Sequence, residues 1–134
     1  MHIVVIDNYV DALVHGVLET SVELGYILDE DGDTLYEGFQ LGGFERDEYS
    51  FELVERNLRA TLAPAVALAG DVCGKYHPVE LGTDAVLRTY GGADGGSLPD
   101  FPEAEFVLEL ITQDVRGLEF NFWLVDDVLH VEVW

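Results

Sequence analysis

The chain is poor in positive charge and in cysteine, and it contains no long apolar run. Only 6 Lys plus Arg stand against 27 Asp plus Glu, a formal net charge of −21. Such a field repels nucleic acid and anionic membranes and favours a basic partner. The single cysteine, Cys73, can form no internal disulfide and gives no framework that would point to an oxidising compartment. No stretch approaches the ~18 consecutive apolar residues of a membrane span. The start, MHIVVID, lacks a basic region followed by a long apolar stretch, so no signal peptide is indicated and a cytoplasmic location is expected.

Catalytic signatures are missing too. There is no G-x-S-x-G, no P-loop and no G-x-G-x-x-G, and GGADGG lacks the lysine that a P-loop needs. Asp29, Asp31 and Asp33 imitate the start of a calcium loop. However, the sixth position is Thr34 where glycine is needed, and the twelfth is Gln40 where glutamate is needed. Cys73 and His77 supply two metal-ligand types without a second pair, and no flanking motif makes them a thiolate couple. No metal or cofactor is expected.

What is present fits a single domain over residues 1–134. With 49% hydrophobic residues the chain can bury roughly two-thirds of its unfolded surface. The acids form no tail: residues 1–70 hold 14 acids and 3 cations, and residues 71–134 hold 13 and 3. An evenly spread field suits either an attractor for a basic protein or a surface adapted to high salt.

The pattern predicts an α+β fold, a mainly antiparallel sheet of about six or seven strands packed against one or two helices. HIVVID reads as a buried strand, followed by a helix to about Glu19 capped by Asp7 or Asn8 and weakened by Gly16. Thr20–Leu28 and Thr34–Leu41 read as a hairpin turning at Asp31-Gly32, pairing Val22 with Leu41, Leu24 with Phe39, Tyr26 with Glu37 and Leu28 with Leu35. That register puts Glu37 on an otherwise apolar face. The clearest helix follows Gly43, with Phe51, Val54, Leu58 and Leu62 on one stripe, Asp47 or Ser50 as N-cap, and Pro64 as a stop or kink. Residues 71–103 read as an irregular Gly- and Pro-rich region interrupted by one strand, Ala85–Tyr90.

The C-terminal part, 105–134, reads as a three-strand meander. Asp126-Asp127 closes the last hairpin and Gly117 the one before it. One face then carries Phe106, Leu108, Leu110, Phe120, Phe122, Leu124, Leu129, Val131 and Val133 as core. The other carries Glu105, Glu109, Glu119, Trp123, His130, Glu132 and Trp134, beside Val107 and Ile111. Carboxylates around tryptophans suit Arg or Lys of a partner, by charge pairing and by stacking. These seven residues are therefore the candidate partner-binding surface. The expected role is an acidic inhibitor of a basic partner protein, a toxin or nucleic-acid-binding protein, as an immunity protein, antitoxin or nucleic-acid mimic would be. The alternative is a small enzyme or ligand-binding domain of a salt-adapted organism that uses Glu37 or the Cys73/His77 loop.

Overall fold

The computed structural model describes residues 3–24, 26–28, 31, 34–37, 43–89 and 98–134, with backbone alone at 3–7, 24, 26–28 and 34–37. Along the chain, the described elements are α1 (Ile3–Leu24), β1 (Tyr26–Leu28), β2 (Thr34–Glu37), β3 (Glu45–Arg46), α2 (Glu48–Ala69), a 3-10 helix (Gly70–Lys75), α3 (Pro78–Thr89), α4 (Ala104–Arg116), β4 (Phe120–Val125) and β5 (Val128–Val133). Helix dominates, which overturns the expected sheet of six or seven mainly antiparallel strands. The sheet that forms is mixed, in the order β2-β1-β4-β5-β3. Pairs β1/β2 and β4/β5 are antiparallel, while β1/β4 and β3/β5 are parallel.

Three expected strands are helices, for one physical reason: short apolar runs match period two and period 3.6 alike. The initial run HIVVID continues the spacing of Val10, Leu13, Val14, Val17 and Leu18 backwards, so α1 begins at Ile3 and runs through the supposed caps Asp7 and Asn8. It also runs forward past Glu19, so Val22 is buried in a helix rather than paired in a hairpin. Residues 85–89 belong to α3, which starts with Pro at its first position, has Glu80 in the first turn and ends near Arg88, an arrangement that suits the helix dipole.

The segment read as the first strand of the meander is α4. Its buried residues Ala104, Val107, Leu108, Ile111 and Val115 follow helical spacing. Val107 and Ile111, expected outside, are core, whereas Phe106, expected inside, is 53% exposed. Leu110 is only partly buried.

The last hairpin keeps its expected register at all six pairs, from Phe120↔Val133 to Val125↔Val128. Asp126 and Asp127 both take positive φ, 50° and 65°, as a two-residue turn between right-twisted strands requires. Phe122, Leu124, Leu129 and Val131 face the helices and are buried. In the first hairpin Tyr26↔Glu37 holds, but a register irregularity between Ile27 and Leu28 pairs Leu28 with Thr34 instead of Leu35. The partners expected for Leu24 and Val22, Phe39 and Leu41, lie outside the described residues, as does Tyr90.

Helix α2 begins as its sequence indicates. Asp47 caps it, its side chain accepting from the Ser50 N–H at 3.0 Å, and Phe51, Val54, Leu58 and Leu62 are buried. Pro64 does not stop it, because the helix continues to Ala69. Pro64 and Ala60 both lie on the exposed side, so the carbonyl left without its N–H donor faces water.

The closest packing joins α1 to α3. A Cβ added at Gly16 would lie 2.4 Å from the Val79 carbonyl oxygen, and one at Gly82 would lie 2.6 Å from that of Leu13. The glycine that weakened the helix expectation is therefore a contact point. Beside this crossing, the Thr20 hydroxyl donates to Thr83 at 2.9 Å, and Tyr9 Oη donates to the Tyr76 carbonyl at 2.6 Å.

Candidate binding surface

The seven residues expected on one sheet face occupy two places. Glu105 and Glu109 project from α4 toward α3, where Arg88 meets them. Its Nη1 lies 2.6 Å from Glu105 Oε1 and 3.5 Å from Glu109 Oε2. A second bond, from Arg88 Nη2 to Glu105 Oε2 at 3.2 Å, makes the Glu105 pair bidentate. Bonding to Glu105 raises the pKa of Arg88, and the guanidinium holds the Glu105 carboxyl below its usual range. Both glutamates thus cross-link two helices and have a cation already.

Glu119, Trp123, His130, Glu132 and Trp134 stay together on the β4/β5 hairpin. Glu119 and Trp134 exchange backbone hydrogen bonds of 3.3 and 2.9 Å, which fixes the open end of the hairpin. Trp123 and His130 stack with ring centroids 5.5 Å apart and planes 13° from parallel. His130 Nδ1 lies 3.3 Å from Asp47 Oδ2, so the imidazole is tied to the start of α2. The N–H of Ser50 is the main cause that lowers the Asp47 pKa, with the Ser50 hydroxyl and His130 adding to it. Trp134 is 70% exposed and leaves a large ring in water.

These five residues adjoin a surface that the sequence reading did not nominate. Strand β5 would present an open edge beyond its short pairing with β3, and the first turn of α2 covers part of it. The Asp47 N–H donates to the Leu129 carbonyl at 2.8 Å, and the Val131 N–H donates to Ser50 Oγ at 3.3 Å. Farther along, α2 and the hairpin leave a groove of about 340 Å³ between Tyr49, Leu53 and Asn57 on one side and Trp123, Glu132 and Val133 on the other. Tyr49 is 72% exposed and Leu53 is 44% exposed. On the other flank of α2, Glu45, Glu48, Glu52 and Glu55 surround an acidic recess of about 490 Å³. Its cations are partly engaged: Arg46 lies over the Phe51 ring at 5.6 Å, and Arg56 bonds Glu52 at 3.0 Å.

A sequence signal for this surface did exist. Tyr49 and Leu53 are four residues apart and off the buried stripe, which places a second apolar row on a helix whose core face is already complete.

The alternative reading rests on Glu37, Cys73 and His77. Cys73 is fully buried, and desolvation pushes its thiol pKa up although a hydrogen bond with Tyr9 opposes this. His77 is exposed. The Glu37 side chain lies outside the described residues. Asp84 is buried, and its Oδ2 accepts from Tyr76 Oη at 2.5 Å. Desolvation raises the Asp84 pKa, with Glu80 adding to the rise and Tyr76 and Arg88 opposing it.

Among the described residues, no group of three His, Cys, Asp or Glu side chains could hold a metal ion. No helix there is long and apolar enough to cross a membrane. Comparison with family models, with curated proteins and with solved structures finds no match to this chain. The class the fold defines is therefore a helix-dominated α+β domain with an acidic surface, and function has to be read from that surface.

Proposed function

We propose that this chain is an acidic binding protein that neutralises a basic partner protein by covering the partner's anion-binding site, in the manner of an immunity protein, antitoxin or nucleic-acid mimic. A cytoplasmic setting is part of the same proposal. The observation that carries it is the groove beside α2, where exposed Tyr49 and Leu53 lie between a row of carboxylates and the Glu132/Trp134 end of the hairpin. The net charge of −21 would steer a basic partner in, and the apolar groove would anchor it. The segment it fits alternates Arg or Lys with large apolar side chains. Glu119, Trp123, Glu132 and Trp134 remain in this surface, His130 stacks on Trp123, and Glu105 and Glu109 are left out.

A synthetic peptide of alternating Arg and Leu, with oligolysine as comparison, tests the surface by calorimetry at low and high salt. Tyr49→Ala with Leu53→Ala should weaken the Arg-Leu peptide about tenfold or more, as hot-spot truncation does, and leave oligolysine unchanged. Glu119→Gln with Glu132→Gln should flatten the salt dependence, whereas Glu105→Gln with Glu109→Gln should not. Equal affinities in all variants would overturn the site. A concentration-dependent dimer abolished by Leu53→Ala would assign the groove to a second copy of the chain and overturn the basic partner.

A further inference from the structure

A third cavity lies where three helices end, and it borders the docking surface at Glu119. The last turns of α1, α3 and α4 converge on the start of β4 around a space of about 360 Å³, within the size range of small-molecule sites. Its walls are apolar at Val86, Val115, Leu118 and Phe120. Its polar groups are Ser21, Thr89, Glu119 and Asn121.

Ser21 is the observation that makes this more than a gap between helix ends. The residue is 1% exposed, lines the cavity, and its Oγ has no hydrogen-bond partner. The neighbouring hydroxyls are spoken for: Thr20 donates to Thr83 at 2.9 Å, and Thr89 donates to the Ala85 carbonyl at 2.9 Å. A buried hydroxyl without a partner is costly, and native structures keep such groups where a ligand or water completes them.

The sign of the missing partner follows from the surroundings. Helix C-termini carry partial negative charge from their last carbonyls, and the last turns of three helices line this space; α3 and α4 offset theirs with Arg88 and Arg116, whereas α1 has no basic residue in its last turn. Glu119 adds a carboxylate, and among the described residues no Lys or Arg lines the space. A cation with N–H donors is favoured and an anion is repelled. Val86, Val115, Leu118 and the Phe120 ring would take an apolar body.

We propose that this cavity binds a small primary ammonium compound with an apolar tail, its N–H groups donating to Ser21 Oγ and toward Glu119 while the tail packs against Phe120 and Leu118. This site shares Glu119 with the docking surface but differs from it in its central group, Ser21 on α1, and in its ligand, a small molecule.

The probe is 2-phenylethylammonium, compared with 2-phenylethanol, which has the same shape without charge, and with phenylacetate, which reverses the charge. Each is titrated into the full chain at moderate salt and followed by amide NMR. The ammonium should saturate, shift signals of Thr89, Leu118 and Asn121 rather than of Tyr49 to Asn57, and bind about tenfold more tightly than the alcohol. Phenylacetate should not bind. Ser21→Ala should weaken the ammonium about tenfold, and Glu119→Gln should bring it close to the alcohol. Equal binding of ammonium and alcohol would overturn the cationic class. Shifts scattered over the surface carboxylates, or no saturation, would show counter-ion association or a water-filled cavity and overturn the site.

Discussion

Replacing Gly82 by alanine sets helix propensity against packing, and the structure says which wins. Alanine at an interior helical position is worth about 1 kcal/mol over glycine. Against this, the new Cβ would lie 2.6 Å from the Leu13 oxygen, 2.8 Å from the Val17 nitrogen and 3.0 Å from the Gly16 carbonyl carbon. The nearest of these is roughly 1 Å short of the ~3.5 Å at which attraction begins to pay back. All three atoms are backbone, so no rotamer change relieves the collision and α1 and α3 must part. Overpacking of this kind costs about 1–3 kcal/mol. Parting the helices also strains the Thr20–Thr83 and Tyr9–Tyr76 hydrogen bonds, each worth about 1 kcal/mol. The net expectation is a loss of about 2–3 kcal/mol after the propensity gain, or roughly 6–10 °C in Tm for a chain of this size. Urea denaturation read by circular dichroism measures it, with Gly74→Ala as control, since nothing lies within 4 Å of a Cβ there. Gly16→Ala should behave like Gly82→Ala, and the double variant should cost less than the sum, because helices already forced apart accept the second methyl more easily. A Gly82→Ala protein as stable as the parent would refute the close crossing.

Two further outcomes concern buried polar groups. Ser21→Ala removes an unpartnered hydroxyl from a helix and should raise stability by about 1–2 kcal/mol in the ligand-free protein; a drop in the urea midpoint would mean that Oγ has a partner. Asp84 has its pKa raised by desolvation, so its ionisation opposes folding: stability from this group is full below the unfolded value of 3.8 and is lost as pH rises through the higher folded value. Asp84→Asn keeps an acceptor for Tyr76 Oη and should therefore gain on the parent as pH rises from 3 to 7; a variant that loses ground over that range would reverse the sign.

Legibility in the sequence tracked the number of independent constraints on each segment. The β4/β5 hairpin was readable because Asp126-Asp127 and the alternation from Phe120 to Val133 both specify one register, and a shift of one residue would turn Phe122 and Leu124 outward. Helix α2 was readable because a cap, a stripe and ordered charges agree. Residues 104–116 had no such agreement. Apolar residues at 106–108 and 110–111 satisfy both periods, and the glycine taken for a turn, Gly117, instead follows the helix C-terminus, with its N–H bonded to the Val115 carbonyl. Length and end charges carried the missing signal, with Glu105 in the first turn and Arg116 in the last. The α1–α3 crossing was not readable at all, since two glycines 66 positions apart announce nothing until their helices meet.

The candidate surface shows the same limit in electrostatic form. A net charge of −21 says that a basic partner would be attracted, yet it does not say where, because the acids are spread along the chain. Position comes from which acids already have cations. Glu105 and Glu109 share Arg88, Asp11 holds Arg59 at 2.6 Å and Glu52 holds Arg56, so these carboxylates offer a partner less than their number suggests. What distinguishes the α2/β5 groove is uncovered apolar surface, Tyr49 and Leu53 in it and Trp134 at the adjoining end of the hairpin, which costs solubility unless something binds there. Charge would set the rate of encounter and its salt dependence, and these three side chains would set how long the complex lasts. A partner with basic residues but no apolar ones should therefore associate with this chain quickly and leave it quickly, and only one that fills the groove should stay.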